Sequence, residues 1–304
     1  GYSHHHVQAL RGGELLQRAW EKGYAIGAFN TNNLEISKAI LAASKETRAP
    51  FIFQVSPSAA KYAGIHFLTA INLIAETEAS REGIPCALHL DHGLTFQDVM
   101  RALKAGFTSV MIDGSKYPFE ENVALTRKVV ETAHEIDVSV EGELGRLVGV
   151  EEEISVSERE ASMTDPDKAK EFVERTGVDS LAVSIGNAHG WYKGKPQLDF
   201  DRLKAINEVA GVPLVLHGGS GIPEDDIRKA VSLGIAKINI DTEIRDAFKR
   251  GVTGFIEANP EVFDPRKILA PAVEEMSKVV AEKMRLFASA GRADEMAEEL
   301  RRAA

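Results

Sequence analysis

Three histidines draw attention because of where they fall. His92, His189 and His217 each close or follow a short apolar run: Cys86–Asp91, Ser180–Ile185 and Pro213–Leu216. Three neutral imidazoles with an open fourth position form a catalytic zinc arrangement. Their separations match no local finger spacing, so the fold would have to bring them together. A lone histidine near a strand end is more often a hydrogen-bonded packing residue. His66 and His134 keep that reading, and His89, with the parity of Asp91, reads as inward support. Asp91 beside His92 is either a turn cap or, next to a metal, an acid/base group. Asp113 and Glu143 either pair with surface lysines, the usual fate of carboxylates, or orient ligands and hold a second, weaker cation. Glu151 opens an acidic run in which Glu152 and Glu153 read as solvated; loop closure could carry Glu151 over a substrate. Gly218-Gly219-Ser220-Gly221 follows His217 directly and offers bare backbone amides to an anion. Ser220 is expected to cap the helix that begins near Pro223.

These residues need elements to hold them. Hydrophobic periodicity predicts eight short strands: Tyr24–Phe29, Phe51–Ser56, Cys86–Asp91, Ser109–Asp113, Val138–Glu143, Ser180–Ile185, Pro213–Leu216 and Ala236–Asp241. A helix follows each one. An opening helix covers Gly12–Glu21, a final helix covers Pro271–Ala288, and Gly145–Ser162 reads as a mobile loop. Eight strand–helix repeats are the count of a (β/α)8 TIM barrel, an α/β fold, here with an N-terminal helix and a C-terminal helical extension. The rival doubly wound sheet would need a glycine fingerprint after the first strand, and Ala25–Thr31 does not supply it.

The strand ends carry Asn30, Ser56, Asp91 with His92, Asp113, Glu143, His189, His217, and Asn239 with Asp241. In a barrel these ends converge on the rim that bears the chemistry. The turns after strands seven and eight, Gly218–Gly221 and Asn239-Ile240-Asp241-Thr242, lie where barrels commonly bind phosphate. Lys237, inside strand eight with the parity of Asn239, could face inward and is expected to help hold phosphate.

Composition sets the outer limits. The chain has 304 residues, is 44% hydrophobic and 27% charged, and carries a formal net charge of −10. That balance leaves ample core but no basic face for nucleic acid or anionic membrane. No apolar run approaches the roughly 20 residues of a membrane span. The single cysteine, Cys86, fits a reducing cytoplasm. Residues 1–304 read as one barrel domain, with 1–9 a cloning remnant and 259–304 the helical extension.

Six motifs occur in order: His89-Leu90-Asp91-His92-Gly93, Ser109–Ser115, Glu141-Gly142-Glu143-Leu144-Gly145, Ile185–Gly190, Leu216–Gly221 and Lys237–Thr242. Together the chain resembles the class II, metal-dependent fructose-bisphosphate aldolases, nearest the subgroup that includes tagatose-bisphosphate aldolases. The resemblance spans about Leu15 to Arg292. It implies zinc-dependent, reversible cleavage of fructose 1,6-bisphosphate to dihydroxyacetone phosphate and glyceraldehyde 3-phosphate, a step of glycolysis and gluconeogenesis. By motif, His92, His189 and His217 would hold the zinc (Zn2+), and Asp113 and Glu143 a second divalent ion. Asp91 would exchange the C4 hydroxyl proton, and Glu151 the proton of dihydroxyacetone phosphate. Gly190, Gly218, Gly219, Ser220, Asn239, Ile240, Asp241 and Thr242 match the dihydroxyacetone phosphate site, where a sodium or potassium ion (Na+ or K+) often assists. Arg266 resembles an arginine that reaches the second phosphate from a partner subunit, which implies a homodimer or homotetramer.

Two positions depart from the pattern. Val148-Gly149 stands where relatives tend to have two glycines, implying a stiffer loop before Glu151. Asn187-Ala188 stands where relatives often carry threonine or serine. The competing readings are a tagatose 1,6-bisphosphate or other ketose-phosphate aldolase, a Schiff-base aldolase through Lys237, and a non-catalytic sugar-phosphate binding protein. Asp241 resembles the fructose-specific pattern.

Overall fold

A computed structural model describes residues 12–149 and 152–303. The expectations placed on residues 1–11 and on Glu151 lie outside these residues. Helix α1 (Gly12–Lys22) precedes β1 (Ile26–Asn30), α2 (Leu34–Thr47), β2 (Phe51–Val55), α3 (Pro57–Ala63), α4 (Ile65–Arg81) and β3 (Cys86–Gly93). Then come α5 (Phe96–Ala105), β4 (Ser109–Ile112), α6 (Phe119–His134), β5 (Ser139–Leu144), α7 (Val156–Ser162), α8 (Pro166–Thr176) and β6 (Ser180–Val183). The chain continues through α9 (Phe200–Ala210), β7 (Leu214–Leu216), α10 (Glu224–Ser232), β8 (Ile235–Ile240), α11 (Thr242–Ala258), α12 (Pro265–Leu286) and α13 (Ala293–Ala303). All eight strands pair in parallel, in sequence order, and β1 closes the barrel on β8.

The expected (β/α)8 architecture is therefore present, with differences in detail. Helices α3 and α7 were not anticipated, and α13 lies in the expected C-terminal helical extension, beyond the helix read as its last. The region expected to be an irregular loop contains α7, whose Ser155 cap accepts a hydrogen bond from Glu158 N. Helix α12 starts at Pro265 rather than Pro271, because Asp264 caps it and Pro265 occupies a first-turn position that needs no amide. Pro223 rather than Ser220 stands at the N-cap of α10, with no side-chain cap bond; the Ser220 hydroxyl instead accepts from Glu243 N at 3.4 Å.

Alternation along each strand sorts the interior from the outer core. In β2, Phe51, Phe53 and Val55 join the large core between sheet and helices, while Ile52 faces the barrel interior. At the bottom, the interior is apolar: Ile26, Ala28, Ile52, Ala87, Ala182 and Val215 cluster with Leu15, Leu16 and Ala19 of α1 and Met296 of α13. Helix α1 is thus a plug. Gly13 at its start donates its amide to Ser139 Oγ at 2.9 Å. Burying a leucine such as Leu15, fully inaccessible, contributes roughly 1.5–3 kcal/mol.

One irregularity sets the site. Between Leu90 and Gly93, β3 advances three residues while β4 advances two, from Val110 to Ile112. This bulge places His92 at φ 48°, a left-handed backbone that a non-glycine residue rarely adopts. Neighbours on a regular strand face opposite ways; the extra residue lets Asp91 and His92 approach each other, with His92 Nε2 3.8 Å from Asp91 Oδ1.

A candidate metal and phosphate site at the barrel rim

His92, His189 and His217 do meet. Their ligand nitrogens all lie within 4.8 Å of one another. The ring centroids of His92 are 4.8 Å from His189 and 4.9 Å from His217. Among the described residues this is the one such group of histidine, cysteine and carboxylate side chains. His217 is fully buried. Its Nε2–H donates to Glu141 Oε2 at 2.7 Å, which fixes the tautomer and leaves Nδ1 as a lone-pair donor. That Nδ1 and His92 Nε2 are both buried without a hydrogen-bond partner. Buried polar atoms are almost always satisfied, so two orphaned imidazole nitrogens within one cluster fit a cation that accepts lone pairs.

The carboxylates divide into two sets. Asp113 Oδ2 lies 3.5 Å from His92 Nδ1, and Glu143 Oε1 lies 3.3 Å from His217 Nδ1. Ser115 Oγ is 2.6 Å from Asp113 Oδ1 and 2.8 Å from Glu143 Oε2. One hydroxyl hydrogen can serve only one of these oxygens. Burial raises the Glu143 carboxyl, whereas for Asp113 the bonds to His92, Glu143 and Ser115 outweigh burial and hold it well below the usual range. Asp91 is buried, yet His92, His217 and Lys237 keep it ionised against that burial. Asn30 Nδ2 donates to Asp91 Oδ2 at 2.9 Å, leaving Oδ1 without a partner. The histidines differ as well. Burial and the neighbouring imidazoles push His189 down to about 4; burial acts on His217 too, but the adjacent Glu141 and Glu143 carboxylates outweigh it and favour positive charge at that ring.

Beneath the histidines lies a network that the sequence reading missed in part. Lys237 Nζ donates to Gln54 Oε1, Glu141 Oε1 and Asn239 Oδ1 at 2.6, 2.8 and 2.9 Å. Three acceptors use all three ammonium hydrogens, so Lys237 does not reach a phosphate. It neutralises Glu141 instead. His89 Nδ1 bonds Ser109 Oγ at 2.6 Å and His89 Nε2 lies 3.4 Å from Glu141 Oε1, the inward supporting role that its parity suggested. Gln54 and Glu141 could have been found by the same parity argument, since Glu141 is two residues before Glu143 on β5. His134 bonds Asp179 at 2.8 Å on the outside.

The glycine turn after β7 is shaped by close approach. Gly218 has φ 65°, and a Cβ there would overlap the Ala188 carbonyl oxygen. Two side chains join it to the His189 segment. Asn187 Nδ2 donates to His217 O at 2.9 Å, which gives the Asn187 departure a physical role. Tyr192 Oη accepts from Ala188 N at 2.8 Å and donates to Gly218 O at 3.0 Å. Two amides of the turn are already taken: Gly219 N donates to Asn239 O at 3.1 Å and Gly221 N to Glu243 Oε1 at 2.9 Å. Gly219 therefore braces the turn and does not present its amide to a ligand. Ile240 is fully buried in the outer core, so its side chain is not a contact either.

A second feature on the rim is a polar cavity of about 200 Å³ lined by Asn30, Ser56, Tyr62, Asp241 and Arg245, among others. Arg245 was not anticipated. It sits one helical turn past Asp241 and pairs with it at 3.1 Å. Arg266 is not part of this lining; its side chain is 90% exposed and pairs with its own cap, Asp264, at 2.9 Å. On the far side of the loop, Val148 is buried and Gly149 N donates to Glu152 Oε1 at 3.0 Å, so the segment before residues 150–151 is held in place.

Comparison with known proteins agrees with the geometry. The family model for "Fructose-bisphosphate aldolase class-II" matches residues 11–292. The fructose-bisphosphate aldolase of Thermus caldophilus is 47% identical over 307 residues, covering 93% of this chain and 99% of its own. That of Geobacillus stearothermophilus is 47% identical over 281 residues, covering 92% and 97%. The solved structure of the YdjI aldolase from Escherichia coli K12 superposes with a TM-score of 0.80 at 34% identity, covering 92% of this chain and 98% of that one.

Proposed function

The chain belongs to the class-II fructose-bisphosphate aldolase family, and on that premise we propose how its rim residues divide the work. The activity is the reversible cleavage of fructose 1,6-bisphosphate into dihydroxyacetone phosphate and glyceraldehyde 3-phosphate. His92, His189 and His217 would hold a zinc ion, and the observation that supports this is the pair of orphaned nitrogens within one histidine cluster. A divalent cation bound there supplies Lewis-acid stabilisation of the charge that builds on the ketone oxygen as the C3–C4 bond breaks.

The other steps fall to the chain's own side chains. Asp91, ionised and oriented by Asn30, takes the C4 hydroxyl proton on cleavage and returns it on condensation. Glu151 is proposed for the proton on the dihydroxyacetone phosphate carbon. Gly190, the Gly218 and Ser220 amides, Asn239 and the α11 N-terminus at Thr242 hold the phosphate of that three-carbon fragment, with a sodium or potassium ion assisting. Ser56 and Arg245 in the rim cavity receive the second phosphate, and Arg266 adds to it from a partner subunit in a homodimer or homotetramer. Asp113 and Glu143 accept a second divalent ion, which would settle the two carboxylates that share the Ser115 hydroxyl. No described helix is long and apolar enough to cross a membrane; we place the enzyme in the cytoplasm, as one barrel domain, acting on free sugar bisphosphate.

Asp91→Ala tests the acid/base assignment. Turnover should fall at least ~100-fold, the scale of a general acid/base, with zinc content unchanged. Loss of zinc along with activity would make Asp91 structural.

A further inference from the structure

The turn after β7 is gripped by a carboxylate. Glu243 Oε1 accepts from Gly221 N at 2.9 Å, and the Ser220 hydroxyl accepts from Glu243 N at 3.4 Å. The two bonds run in opposite directions and staple the turn to the first turn of α11. Gly221 lies between two neighbours, with φ 81° and the Trp191 ring on the side where a Cβ would stand, 3.2 Å from Trp191 Cε3. A carboxylate is a stronger acceptor than a neutral oxygen and suits a helix N-terminus. It is also the wrong charge to set beside a phosphate.

The opposite charge comes from outside the barrel. Lys283, in the last turn of α12, places Nζ 2.9 Å from the same Glu243 Oε1. Both side chains are largely buried, 13% and 18% exposed, so water screens the pair little. Lys283 thus neutralises the carboxylate at the oxygen that holds the turn. We infer that Lys283 is a positioning residue for the substrate phosphate. Acting through Glu243, it lets a carboxylate fix the shape of the Gly218–Gly221 turn without repelling the anion that the turn receives. This rests on the phosphate assignment made above and extends it, giving the C-terminal helical extension a part in substrate binding. The phosphate takes no part in bond cleavage, so the effect belongs to uniform binding: KM moves and kcat does not.

Steady-state kinetics on the full, zinc-loaded chain test it. Lys283→Met keeps the apolar stem and removes the charge. It should raise KM for fructose 1,6-bisphosphate about tenfold, the scale of one poorly screened charge near a phosphate, with kcat and zinc content unchanged. Lys283→Arg should stay near wild type. Adding Glu243→Gln to Lys283→Met keeps an acceptor for Gly221 without the charge and should restore KM. Arg250→Met cuts another contact between α11 and α12, Arg250 to Glu275 at 3.6 Å, and should leave KM alone. Calorimetric titration with inorganic phosphate should show the same loss and rescue without turnover. If Lys283→Met fails to fold, Glu243→Ala should raise KM where Glu243→Gln does not. An unchanged KM in folded Lys283→Met, a loss confined to kcat, or no rescue by Glu243→Gln would each overturn the inference. Solvent deuterium exchange into dihydroxyacetone phosphate alone separates it from the assignment beneath it. KM for that ketone should rise by the same factor; a rise for the bisphosphate only would keep the role of Lys283 and overturn the choice of phosphate at the turn.

Discussion

The floor and the rim of the barrel interior are only a few residues apart along each strand, yet they are assembled on opposite terms. At the floor, Leu15, Leu16, Ala19 and Met296 close against Ile26, Ile52, Ala87 and Val215, all buried and all apolar. At the rim, Asp91, His92, Glu143 and His217 each retain a buried polar atom without a partner. Between them lies the layer of Gln54, Glu141 and Asn239, polar but tied together by Lys237. Satisfaction decreases from floor to rim. The difference teaches that the barrel separates its stability from its chemistry by depth: packed below, mostly neutralised in the middle, where His89 Nε2 lacks a partner, and least satisfied at the rim, where a ligand can arrive.

That separation can be broken at each level. The largest stability effect is expected from Lys237→Met. Removing the ammonium leaves Glu141 ionised and buried, at a cost of about 3–5 kcal/mol, and it loosens His217, so denaturant midpoint and zinc affinity should fall together. A midpoint that does not move would mean that the middle layer contributes little. Next is Leu15→Ala at the floor, a cavity mutation expected to cost ~2–5 kcal/mol while leaving KM and zinc content unchanged. A raised KM would show that floor and rim are coupled.

A third substitution asks whether unpartnered polar atoms matter away from the rim. Both carboxyl oxygens of Glu76 on α4 are buried without partners, and burial raises its pKa well above the ordinary carboxyl value of 4.5. The folded state therefore holds this proton where the unfolded chain has released it. Stability from this group is intact below about pH 4.5 and declines as pH rises toward the folded pKa. Glu76→Gln should raise the melting temperature, with a gain that is larger at pH 8 than at pH 5. A gain independent of pH would rule out ionisation as the cause.

Much of this layering could be read from the sequence because strands alternate. Asn30, Asp91, Asp113, Glu143, His217 and Asn239 were visible as strand-end residues, and the barrel gathers them. Lys237 was seen to face inward, but its three partners were not. Gln54 lies on β2 and Glu141 on β5, and only the register that sets Gln54 beside His89 and closes β8 on β1 brings them under the histidines. Arg245 was hidden by helical rather than strand period, one turn into α11. The bulge at Asp91-His92 has no local signature at all. It arises from a mismatch with β4, which only the pairing reveals.

The central claim is that the unsatisfied rim is a zinc site, and metal stoichiometry tests it most directly. Chelator-stripped protein should lose fructose 1,6-bisphosphate cleavage and regain it at one zinc per chain, and His217→Ala should neither bind that zinc nor recover. Full activity after exhaustive stripping, or one tightly held zinc in His217→Ala, would contradict the account.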